Sequence, residues 1–80
     1  MALKRVNTHS TEYSGTTVLP KDSSRSYFFI VFKSGEGTIS FGDGGGEIPM
    51  QEGFHYSPFV APTSKITITS TDAVYVIHEG

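Results

Sequence analysis

The chain contains no cysteine, so neither a disulfide framework nor a thiolate metal site is open to it. No apolar run approaches the roughly 18 residues of a membrane span. No hydrophobic signal core stands behind the basic pair in the opening MALKRVNTHS, and a chain made and kept in a cytoplasm is expected. The i, i+3, i+4 apolar spacing of an amphipathic helix is missing throughout. Charge of one sign is also lacking: the formal net charge is −2, with no basic stripe carrying interleaved aromatics, and nucleic acid is not an expected partner. A chain of 80 residues buries only about 60–65% of its unfolded surface. With no staple of its own, such a domain gains most from oligomerisation. Charge is split along the chain, residues 1–34 carrying +3 and residues 35–80 carrying −5, which fits either contact between neighbouring copies or scattered solvated charge on interleaved strands.

What is present is period-two alternation between turn clusters, the mark of half-buried strands. Residues 1–12 are polar and read as an N-terminal arm, with residues 13–80 forming one β-sandwich domain. EYSGTTVLP supplies a short strand ended by Pro20, and KDSS a turn. RSYFFIVFK, residues 25–33, places six apolar or aromatic residues in a row, as expected of a central strand buried on both faces. GTISFG, EIPM, GFHYSPFV, KITITS and DAVYVIHEG follow, with Pro49 and Pro58 marking two of them as edge or irregular strands. The expectation is an all-β fold, a small antiparallel β-sandwich or jelly-roll-like barrel of about seven short strands.

Seven of the nine glycines fall within residues 35–53, GEGTISFGDGGGEIPMQEG. No lysine follows them as a phosphate loop requires, and the dinucleotide fingerprint is absent. Asp43 and Glu47 are too few oxygen ligands for a calcium loop. A hairpin whose glycines supply positive φ is the simpler reading. The segment through His55 resembles the cupin element in which a glycine and proline turn precedes a metal-binding histidine. A cupin metal site also needs an upstream pair of histidines and a glutamate, whereas His9, His55 and His78 stand apart. No nucleophile elbow is present, and no catalytic residue, metal or cofactor is assigned. FHYSPF packs Phe54, His55, Tyr56 and Phe59 into six residues that cannot all point inward, and such a cluster marks either a protein or sugar contact or a loop folded over the end of the barrel.

From the Val-Leu-Pro segment onward, TTVLPKDSSRSYFFIVFKSGEGTISFGDGG and then IPMQEGFHYSPFVAPTSKITITSTDAVYVIHEG resemble the small β-sandwich proteins encoded among tailed-bacteriophage virion genes, over about four-fifths of the chain. The shared signals are the serine-arginine turn into an aromatic strand, the Gly-Thr-Ile hairpin, the Ile-Pro step and the VYVI terminus. The resemblance implies a non-enzymatic virion component, often a capsid decoration (cement) protein on the exterior, bridging major capsid protein subunits. A homotrimer is implied because such proteins tend to sit on local three-fold axes. Partner contacts are expected at Leu3, Lys4, Arg5 and Val6 in the arm and at Phe54, His55, Tyr56 and Phe59. The rival readings are a neck or tail component, and a carbohydrate-binding module in which FHYSPF and loop 42–47 form a shallow sugar site.

Overall fold

The computed structural model describes residues 8–42, 46–58 and 60–80. The described residues form eight strands and no helix: β1 His9–Ser14, β2 Thr17–Leu19, β3 Phe28–Ser34, β4 Glu36–Phe41, β5 Ile48–Gln51, β6 His55–Tyr56, β7 Ile66–Ser70 and β8 Val74–Glu79. They build two four-stranded antiparallel sheets, ordered β1-β8-β3-β6 (sheet A) and β2-β7-β4-β5 (sheet B). Because the chain crosses between sheets at nearly every connection, this is the path of a jelly roll.

The expected strand boundaries are corrected in two places. EYSGTTVLP is not one strand: it breaks at Gly15, whose φ of 72° is left-handed and whose N–H donates to the Ala73 carbonyl at 3.1 Å. The first half pairs with β8 and the second with β7, which raises the count to eight. Of the arm expected over residues 1–12, His9 to Glu12 lie in β1 in register with β8; Leu3, Lys4, Arg5 and Val6 lie outside the described residues.

β3 is an interior strand, flanked by β8 and β6, yet it is not buried on both faces. Phe28, Ile30 and Phe32 are inside, whereas Phe29 and Val31 are only half-buried on the outer face. The six-residue apolar run conceals an ordinary alternation. The prolines fared as expected: β5, holding Pro49, is one edge of sheet B, and β6, two residues before Pro58, is one edge of sheet A. β4 and β5 form the glycine hairpin, with Ile39 opposite Ile48 and Glu36 opposite Gln51. Asp43, Gly44 and Gly45 at its tip lie outside the described residues.

The core is one cluster drawn from both sheets. Ile30, Ile39, Ile66, Ile68 and Tyr75 are all fully buried, and Phe32 and Ile77 nearly so. The Tyr75 ring stacks on Phe32 with centroids 5.0 Å apart and on Tyr13 at 6.0 Å. Its hydroxyl donates to the Gly15 carbonyl at 2.7 Å and lies 2.7 Å from the Thr17 hydroxyl. With its single proton committed to Gly15, the phenol accepts from Thr17. Tyr75 thereby ties β8 to the crossing between β1 and β2.

The opposite end of the sandwich is tied by Arg25, whose residue exposure is 5%. The KDSS turn sets it in place: Asp22 Oδ1 accepts from the Ser24 hydroxyl at 2.7 Å and the Ser24 amide at 3.0 Å, and the Arg25 amide donates to the Asp22 carbonyl. The Ser24 bonds, more than the neighbouring Arg25 charge, hold the Asp22 carboxyl below its ordinary pKa. The guanidinium donates to the carbonyls of Pro62 (2.7 Å), Ser64 (3.3 Å) and Pro20 (3.1 Å). Its Nε lies 3.6 Å from Glu79 Oε1.

Candidate binding surface

A jelly roll can carry a ligand inside its barrel or on its surface. The inside of this one is filled by the isoleucines and aromatics of the core, so binding chemistry is left to the outer faces, the edges and the loops.

An open groove of about 1020 Å³ lies on sheet B. It is built from the start of β4, from β5 and from the end of β7 with the turn that follows. Thr38 and Thr69 line it from opposing positions on β4 and β7, and Gln51 stands opposite Glu36 on β5 and β4. Glu47 and Asp72 complete a set of three carboxylates with Glu36, and among the described residues no basic side chain lines the groove. Phe54, 45% exposed, is its aromatic wall. Gly37 allows the two strands to close here, since a Cβ at that position would lie 2.4 Å from the Thr69 carbonyl oxygen.

The FHYSPF cluster does not form one patch, because strand alternation deals its rings to different places. Phe54 lines the groove. His55, opposite Val31, lies exposed on the outer face of sheet A and stacks on Phe29 at 6.1 Å. Tyr56, opposite Ile30, turns inward and packs on Phe41 at 5.5 Å, half-buried against the core. Phe59 lies outside the described residues.

His55 belongs to an aromatic row that sequence reading missed. Along the outer face of sheet A, Phe29 is paired with His78 across β3 and β8, and the His78 ring meets Tyr27 edge-on at 5.0 Å. Half-buried Val31 and Val76 form a pair beside it, and Lys33 and Glu12 form an exposed ion pair at 2.7 Å. The signal was available in the alternation of RSYFFIVFK and VYVIHE, but only sheet pairing brings the two together.

The histidines do not converge. His9 pairs with Glu79 on the edge of sheet A, His55 stacks on Phe29, and His78 has a ring nitrogen 2.8 Å from the Thr8 hydroxyl. Among the described residues no group of three His, Asp or Glu side chains is placed to hold a metal. The described residues therefore do not assemble a cupin-type metal centre.

Neither a family model nor a curated protein sequence matches the chain. Among solved structures it is similar to an RmlC-like cupin protein from Desulfovibrio desulfuricans, at 20% identity and a TM-score of 0.69, covering 99% of this chain and 76% of that one. At this identity the likeness shows the jelly-roll fold alone.

Proposed function

We propose that this chain is a non-enzymatic structural component of a tailed-phage virion, a capsid decoration protein that docks on major capsid protein subunits as a homotrimer. The observation that carries the reading is the filled interior. Where a jelly roll can hold a ligand, this one holds packed isoleucine, phenylalanine and tyrosine side chains, which leaves contact with partners to its outer faces. The outer face of sheet A suits such contact. Its row of Tyr27, His78, Phe29 and His55 with Val31 and Val76 combines rigid rings with apolar area, the composition of interface centres. An undersized core also gains stability by mass action when docked. The choice of a virion among possible assemblies comes from the sequence resemblance, as do the capsid exterior and the trimer.

The test is occupancy on undecorated particles. Phe29→Glu places a charge on the outer face without touching the core, and should abolish binding while leaving the far-UV circular dichroism unchanged. Deleting residues 2–7, which end before β1 begins at His9, should leave the sandwich folded and reduce occupancy if Lys4 and Arg5 meet acids on the coat. Wild-type occupancy by both variants would refute the docking role of these surfaces. Absence of the protein from purified particles by mass spectrometry would refute the virion assignment.

A further inference from the structure

We infer that the groove on sheet B is a binding site for neutral or amino-sugar glycans. Its chemistry is that of a polyol receptor. Glu36, Glu47 and Asp72 make no ion pair or side-chain hydrogen bond among the described residues, so their oxygens are available to accept from sugar hydroxyls, as charge-assisted bonds. The opposed hydroxyls of Thr38 and Thr69 and the Gln51 amide add groups that both donate and accept. Phe54, about half exposed at 45%, offers a ring face to the apolar side of a pyranose, the kind of contact aromatic side chains make with amphipathic partners. At about 1020 Å³ the groove matches the upper end of small-ligand sites, about 300–1,000 Å³, enough for a short oligosaccharide.

The same residues say what is rejected. Three carboxylates, with no basic side chain among the described lining residues, repel uronates, sialylated sugars, phosphate and nucleic acid. A basic peptide would satisfy the charges, but the groove's outer border is β5, the edge of sheet B, which carries Pro49. A proline blunts a sheet edge against strand addition, and the threonine pair and the lone ring are groups that read hydroxyls and a flat apolar face. The outer positions of β4 and β7 are rigid strand positions, so the groove exists before the ligand arrives.

This site lies on the face opposite the aromatic row, and it stands or falls separately from the virion reading. Titrations of the full-length 15N-labelled chain with cellotriose, maltotriose, chitotriose, trigalacturonic acid and trilysine test it. At least one of the three neutral or amino-sugar trimers should move the amides of β4, β5 and residues 69–72 saturably, with a millimolar dissociation constant. Phe54→Ala should weaken that trimer about 3- to 10-fold. Val18→Ala, on the same sheet but outside the groove, should leave it unchanged. Trigalacturonic acid should bind at least about tenfold more weakly, and Glu36→Gln with Asp72→Asn should narrow that gap, a change of selectivity that mere loss of stability would not produce. No saturable shift with any of the three, equal binding of the acidic trimer, or shifts with trilysine alone would overturn the inference, the last identifying a basic protein segment as the occupant.

Discussion

Replacing Arg25 by methionine tests the account of how this small sandwich is closed. The guanidinium is buried and supplies hydrogen bonds to the carbonyls of Pro20, Pro62 and Ser64, at 3.1, 2.7 and 3.3 Å. Methionine fills much of the volume but supplies no donor, so three carbonyls lose their partner and the Glu79 carboxylate, its side chain 15% exposed, is left without its cation. Removing one partner of a buried charged network costs about 3–5 kcal/mol. A domain of 80 residues has a total stability of roughly 4–12 kcal/mol at ~0.05–0.15 kcal/mol per residue. The urea midpoint should therefore fall by about a quarter or more, and the melting temperature by at least about 12 °C, at ~4–8 °C per kcal/mol. Arg25→Lys keeps the charge but not the fork, and should fall between the two. Glu79→Gln should cost less than about 1 kcal/mol, because Nε stands 3.6 Å from Oε1, beyond hydrogen-bond range, and the carbonyls carry most of the interaction. A loss under about 1 kcal/mol in Arg25→Met, or a Glu79→Gln variant as unstable as Arg25→Met, would refute the reasoning.

Tyr75→Phe removes the donor to Gly15 and the acceptor for Thr17, and should cost about 1–2 kcal/mol in chemical denaturation with the core stacking intact. Burial, partly offset by the Thr17 bond, holds the Tyr75 phenol above its ordinary pKa. The folded state thus keeps this proton longer than the unfolded chain: the stability is fully present below about pH 10 and is lost as pH rises through the folded value, a decline that Tyr75→Phe should lessen. Gly37→Ala drives a Cβ to within 2.4 Å of the Thr69 carbonyl and should cost at least about 2 kcal/mol. Gly53→Ala, at φ 86° with open space around it, should cost only about 1–2 kcal/mol, and an equal loss in both would contradict the close approach at Gly37. Removing residues 2–14 deletes β1 and its six pairs with β8, exposing the edge of sheet A, and should abolish cooperative unfolding, whereas removing residues 2–7 should not.

Much of the architecture was legible in short range. Period-two alternation located β4, β7 and β8, the glycine-rich stretch announced the β4–β5 hairpin, KDSS announced the turn before β3, and Pro49 and Pro58 announced the sheet edges. These features depend on residues within a few positions of one another, where backbone sterics and side-chain alternation act directly. Alternation states which residues share a face of their own strand; it does not say which sheet that strand joins. Only pairing between distant segments, β1 with β8 and β2 with β7, split EYSGTTVLP at Gly15 and made eight strands of an expected seven. The same limit dispersed FHYSPF, whose rings are adjacent in the chain but fall to the groove, the outer face and the core. Arg25 read as a flanking charge, because its burial depends on carbonyls 37 and 39 residues away. The groove was the least visible feature, since Phe54, Glu47, Glu36 and Asp72 belong to one surface only after β4, β5 and β7 are laid side by side. The sequence by itself determined where strands run and turn; the tertiary structure decided which of them meet, and with that which side chains could form a site, because sheet partners are chosen by the packing of the whole core and not by any local stretch.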